Sequence, residues 1–288
     1  MKSEEKKVTD WSGIWKIYGE LLASKRTWIF RGVSNPTYRL VTSLEREAER
    51  FGIKKAVYPE IEKWLVRYFM RQAHHFLTGV PADDDPIEWR ALMQHHGAPT
   101  RLLDWSYSFL VGLYFTVENA EKTCGVWCLD LHWLLRKVES KFKKEFRTVL
   151  KEDPSMKKAV FFDSIFDASP PLDLVYSLNP HRLNPRLTIQ QGLFLAAGNL
   201  TKSFEENFDT IQEDVDRRRV LKVVIDTSDV NAKSEILRHL HRMNINGASL
   251  FPGLDGFAQS LKTMLAMPDI LKGRSPLSRV NCLDRLLN

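Results

Sequence analysis

Apolar positions along the chain change their period several times, and each change marks an element. In WSGIWKIYGELLAS (11–24) they recur at helical spacing. Trp28, Ile29 and Phe30 then make a short apolar run that stops at Arg31 and Gly32, which predicts a buried strand over 27–31. A short charge-rich helix is predicted over 43–51. A long amphipathic helix is predicted over 56–78, with Ile61, Trp64, Leu65, Tyr68 and Phe69 on one side. DDDPIEWRALMQHHGAP (83–99) carries its own punctuation. Asp85 suits the N-cap, Pro86 the first helical position and Glu88 the third, and Gly97 with Pro99 stops the helix. Over 106–121 the chain is apolar almost all round (FLVGLYFTV), which predicts a central helix entered through a polar loop.

The second half reads differently. GVWCLDL (125–131) predicts a buried strand, followed by a charged helix. Five of the thirteen prolines fall within 154–185, so loops are expected there, with short strands at VFF and LVY. Strands at 186–197 and 219–226 and helices at 231–243 and 254–267 follow, the last after a turn at Pro252 and Gly253 with Asp255 as its cap. Residues 1–10 read as a frayed lead-in. No repeat and no linker divides the chain, so the expectation is one α+β domain: a central mixed or antiparallel sheet with a helical insertion after the first strand.

Composition sharpens the partner class more than the fold. With 42 Lys and Arg against 36 Asp and Glu the formal charge is +6, a balance that suits a phosphate-bearing ligand or a polyanion. Cys124 and Cys128 share parity on one predicted strand, and with Cys282 they form no CxxC pair or zinc spacing. Reduced thiols in the cytoplasm are the expectation. No run approaches the roughly 18 apolar residues of a membrane helix, so no membrane partner is expected.

Phosphate loops, nucleophile elbows and zinc-protease helices have no counterpart in the sequence. The one dense acidic cluster, Asp83, Asp84 and Asp85, reads as a helix cap, and no metal site is expected. Three segments instead place polar residues among core-like positions. The first is Phe30, Arg31 and Gly32 with Ser34, Asn35 and Tyr38. Arginine offers a planar fork of donors, and glycine admits close approach by a ligand or another backbone. Arg31 is therefore either paired with an acid such as Asp104 or waiting for an anion. The second runs from Gln94, His95 and His96 to Thr100, Arg101 and Asp104, an amide, imidazoles, a hydroxyl, a guanidinium and a carboxylate gathered between two helices. Asp104 as a cap and Arg101 as a loop tether is the competing structural reading. The third holds Arg186, Gln190, Gln191 and Gly192. Strand alternation puts Arg186, Gln190 and Gly192 on one face, and a bulge at Gly192 would swap the facing of Gln191.

Together these segments resemble a known family. FRGVSNPTYRLVTSLER looks like the opening signature of the FRG domain, LMQHHGAPTRLLDWS is similar to its second block and NPRLTIQQGLF to its third. SLFPGLDG is similar to its usual tail. The implied division is a helical lead-in at 1–24, an FRG-type domain at 25–270 and a tail at 271–288. A first strand ending in aromatic-Arg-Gly also resembles the NAD-binding strand of ADP-ribosyltransferases, which implies a split sheet and NAD as substrate. It further implies ADP-ribosyl transfer to a protein or nucleic acid, in a toxin or an antiviral-defence effector. Carried over, Arg31 would clamp the phosphates and His95 and Thr100 the ribose. Gly32, Ser34, Asn35, Tyr38, Gln94, Arg101, Arg186 and Gln190 would line the site. Gln191 stands near the position of the catalytic acid and is not an acid; Asp104 and Glu118 are the carboxylates within reach. The alternative is a binding module that senses a nucleotide or nucleic acid without turnover. A nuclease built on His95 and Asp104 lacks a second carboxylate spaced for a metal.

Overall fold

The apolar run at Trp28, Ile29 and Phe30 does become a strand, and its alternation assigns the two sides of the molecule. The computed structural model describes residues 1–152, 158–182 and 184–267. Its strands are β1 (Glu4–Val8), β2 (Trp28–Val33), β3 (Leu102–Ser106), β4 (Thr123–Asp130), β5 (Val175–Leu178), β6 (Gly192–Ala197) and β7 (Val220–Asp226). They form one sheet in the order β1-β7-β4-β2-β3-β6-β5. β1 runs parallel to β7, and the other neighbouring pairs are antiparallel. The helices are α1 (Trp11–Ala23), α2 (Ser43–Arg50), α3 (Tyr58–Ala73), α4 (Pro86–His95), α5 (Phe109–Glu118), α6 (Leu131–Lys141), α7 (Lys143–Glu152), α8 (Lys158–Ile165), α9 (Pro185–Ile189), α10 (Phe204–Asp209), α11 (Val230–Arg242), α12 (Gly247–Leu250) and α13 (Leu254–Met264). The fold is mixed α+β, and the helical insertion α2–α4 lies between β2 and β3, as expected.

Strand periodicity of two divides the core. Trp28 and Phe30, Val126 and Cys128, and Val223 and Ile225 pack with α1, α5 and α11. Ile29, Trp127 and Leu129 face the other way, onto α4, α6, α8 and α10. Cys124 and Cys128 share the first face as unpaired thiols. No helix among the described residues is long and apolar enough to cross a membrane.

Several expectations need correction. The lead-in is not frayed: Glu4–Val8 pairs with Leu221–Ile225 as an edge strand, and its charged side chains belong on an exposed edge. The loop expected before the central helix is instead β3, whose residues are buried except Asp104. A short strand covered on both faces shows no alternation to read. VFF belongs to α8, not to a strand. The segment 186–197 is not one strand but α9 followed by β6. Gly253, not Asp255, caps α13. On α3 the inward residues are Tyr58, Glu62, Val66 and Ala73, while Trp64 and Tyr68 are exposed. The expected tail at 271–288 lies outside the described residues.

Glycine at position 32 has a packing reason. A Cβ there would sit 2.4 Å from the carbonyl oxygen of Gly112 and 2.7 Å from the amide nitrogen of Thr116, so the backbone that approaches is that of α5. Helix backbone cannot swing aside as a flexible side chain can. Gly32→Ala should therefore cost about 3 kcal/mol, lowering Tm by roughly 6–12 °C in calorimetry. A Tm within 1–2 °C of wild type would show that α5 does not depend on this contact.

Candidate functional site

β2 and β3 meet at one pair, Phe30 and Ser106, and beyond it the strands part. Arg31 occupies the gap. Its Nη1 donates to the main-chain oxygen of Asp104 at 2.5 Å, so a side chain bridges where the ladder has ended. Its Nε is closed off from solvent and has no partner. Burial pulls the Arg31 pKa down, Asp104 pushes it back in part, and Arg46 adds repulsion. A guanidinium so placed is under-compensated, and an arriving anion would relieve it.

The second segment converges on Asp104 through a relay of hydrogen bonds. Ser108, not Asp104, caps α5. The Gln94 amide at the end of α4 donates from Nε2 to Asp104 Oδ2 at 2.8 Å. Gln94 Oε1 accepts from the Thr100 hydroxyl at 2.6 Å. Thr100 is fully buried and acts on the site only through Gln94. His95 is partly buried, and its Nδ1 has no partner. Burial, His96 and Arg186 together hold its pKa below the usual histidine value, which favours the neutral imidazole.

Arg101 points elsewhere. It is buried against Glu62, with Nη2 to Oε2 at 2.5 Å and Nε to Oε2 at 2.8 Å, and it also reaches Asp167 at 3.2 Å. Arg90 of α4 meets the same Glu62 oxygen at 3.1 Å, and both guanidiniums lie over the Phe162 ring. The tether reading of Arg101 is the one this placement supports. Sequence reasoning missed Glu62 because one acid in a charged helix looks solvated. Its signal was its position, one turn after the buried Tyr58.

The third segment turns where alternation had run it straight. Asn184 caps α9, accepting from Leu187 N–H at 2.8 Å, with Pro185 at the first helical position. That Asn-Pro pair was the legible signal. Arg186 consequently lies over the Phe251 ring, 4.6 Å from its centre. Gln190 donates from Nε2 to the Leu250 oxygen, and its own carbonyl accepts from Ser106. The turn needs left-handed backbone, and Gln191 supplies it at φ 47°, not Gly192. Gln191 is exposed, and its carbonyl accepts from Tyr107 N–H.

These pieces line one groove of three joined compartments. An inner niche is lined by Gln94, His95, Asp104, Arg186 and Gln190. The middle compartment, of about 220 Å³, runs from Asp104, Arg186 and Gln190 to Arg31, Gly32 and Phe115. The outer one, of about 590 Å³, continues from Arg31 and Phe115 to Ser34, Tyr38, Arg39, Arg46 and Glu49. Four arginines thus face two carboxylates, and the local field favours an anion. Thr100, Arg101, Asn35 and Gln191 do not line it, and Asn35 instead accepts from Thr37. Glu118 is held by the Tyr114 hydroxyl at 2.9 Å, away from the groove. Arg39, Arg46 and Phe115 were not foreseen. Among the described residues no three His, Cys, Asp or Glu side chains come together as a metal site would require.

The family model described as FRG domain matches residues 26–124. Over that stretch, about a third of the chain, the sequence is similar to the FRG domain. The match supplies Arg31, Gln94, His95 and Asp104, whereas Arg186 and Gln190 come from outside the matched stretch. No curated protein and no solved structure matches the chain.

The ion cluster behind the FRG-like second block gives a pH signature. Burial alone would raise the Glu62 pKa, but Arg101 and Arg90 outweigh it and hold the carboxyl at about 2 against an ordinary 4.5. A depressed folded-state pKa contributes stability above the unfolded value and loses it as pH falls through the folded one. Denaturant titrations should show wild-type stability declining from pH 4.5 towards 2, while Glu62→Gln is weaker at pH 7 and declines less steeply. Identical acid slopes for the two proteins would remove Glu62 from this role. Glu62→Ala, which strands two buried guanidiniums, should cost about 3–5 kcal/mol.

Proposed function

We propose that the groove binds NAD as a substrate and that the protein transfers its ADP-ribose to a macromolecule. One observation carries the reading: Arg31 holds a buried, unpartnered donor at the mouth of the β2–β3 opening, beside the groove's inner carboxylate, Asp104. A pyrophosphate supplies the anion Arg31 lacks, and arginine's fork is suited to two phosphate oxygens. Phe115 and Tyr38 offer apolar and aromatic surface on the outer side for a base or ribose.

The chemistry asked of the residues is modest. The bond between the nicotinamide nitrogen and ribose C1 breaks, and its electron pair leaves with neutral nicotinamide. Positive charge then gathers on the ribose, where the Asp104 carboxylate, held in place by Gln94, stabilises it. The acceptor's nucleophile forms the new bond to C1, and its proton passes to the neutral imidazole of His95. The free thiols of Cys124 and Cys128 suit a protein working in the reducing cytoplasm.

A second reading, nucleotide sensing without turnover, is favoured by the third segment, which brings Gln190 and no acid to the groove. NAD labelled on its nicotinamide ring, and in a parallel reaction on its adenylate half, separates the two. The proposal expects nicotinamide release and label transfer from the adenylate half, with kcat/KM falling about a hundredfold or more in Arg31→Ala. Asp104→Asn should bind NAD in calorimetry yet release no nicotinamide. Binding without release by wild type supports sensing, and absence of any NAD binding removes both readings.

A further inference from the structure

Away from the groove, α3 turns an unusual face outward. Trp64 and Tyr68 are 61% and 53% exposed, although large aromatic side chains normally bury most of their surface. Their rings stack on each other, 5.2 Å apart and within 8° of parallel. They therefore form one two-ring stack instead of two independently mobile groups. Arg67 and Arg71 stand three residues beyond each ring on the same helix, and both are exposed. Neither makes a hydrogen bond, ion pair or ring contact with the described residues. Between Glu62 and Asp83 the chain carries no acidic residue, while Lys63, Arg67, Arg71, His74 and His75 all fall within it. The inward side of this helix is spent on Glu62 and its arginines, so nothing in the core explains the outward aromatics.

We infer that this face of α3 is a docking surface for single-stranded nucleic acid. An unpaired base has a π-face that stacks on an aromatic platform whatever its sequence, and neighbouring guanidiniums contact the phosphates that link the bases. A protein helix docking here by an apolar side would strip water from the exposed Arg67 and Arg71 beside the rings without pairing them. Charge complementarity and the exposed ring stack thus select the same occupant. Trp64 to Arg71 spans about 10 Å of helix, enough for two or three nucleotides, and the contact is accordingly weak and salt-sensitive. This inference does not rest on NAD use. If both hold, nucleic acid is the natural acceptor class.

Fluorescence anisotropy with labelled 20-nucleotide oligo(dT) and oligo(U) at low salt tests it. Wild type should bind, with a log-affinity against log-salt slope that includes about −1.4 from two phosphate contacts. Trp64→Ala and Tyr68→Ala should each weaken binding roughly tenfold at unchanged Tm, and Arg67→Gln with Arg71→Gln should flatten the slope by that amount. Arg31→Ala should bind the oligonucleotides as wild type does, which separates this surface from the groove. Three outcomes overturn the inference: no oligonucleotide binding at 100 µM protein (about the weakest affinity of interest), binding unaffected by the α3 variants, or loss in these variants of self-association or of anionic-vesicle binding instead.

Discussion

A single carboxylate fixes the geometry on which the groove depends. Glu62 sits on α3 with no solvent around it and takes hydrogen bonds from Arg101 at the start of β3 and from Arg90 in α4. Those two elements present Asp104 and Gln94. An ion cluster of this kind contributes less net stability than its short contacts suggest, because three charged groups have left water. Its value lies in specificity: only one placement of α3, α4 and β3 satisfies all three charges at once. The Phe162 ring closes the cluster, with the guanidinium carbons of Arg90 and Arg101 4.1 and 5.2 Å from its centre.

The opening of the sheet has a complementary cause. Beyond Phe30 and Ser106 the ladder between β2 and β3 lapses, and Arg31 spans the gap to the Asp104 carbonyl. On the other side α5 is pressed so closely against Gly32 that any side chain there would collide with helix backbone. The Arg-Gly pair thus divides its labour. Glycine seats the helix beneath the strand, and arginine faces the cavity that the seating leaves open. Arg186 and Gln190 complete the wall because α9 turns them towards the Phe251 and Leu250 segment, which supports both.

Much of this was legible in the residues. Punctuated helices such as Pro86–His95, and β4, whose apolar run lies between clear boundaries, read correctly because local capping and burial agree there. The three polar segments stood out because amides, guanidiniums and imidazoles among core-like positions need partners. Failure came where tertiary burial erased the pattern. β3 is covered on both faces and lost its alternation, α9 was hidden by a coincidental period of two, and α3 buries an acid while exposing two aromatics, reversing the usual sidedness.

The sequence by itself determined the alternating faces of β2 and β4, the helix stops and the identity of the residues able to meet an anion, because those properties belong to near neighbours. Only the tertiary structure decided what each such residue does. Arg31 and Arg101 are the same side chain in two conspicuous motifs, yet one faces a cavity with a donor unused and the other is locked against Glu62. The difference is set by charges and backbones dozens of residues away, and no local pattern records where those will lie.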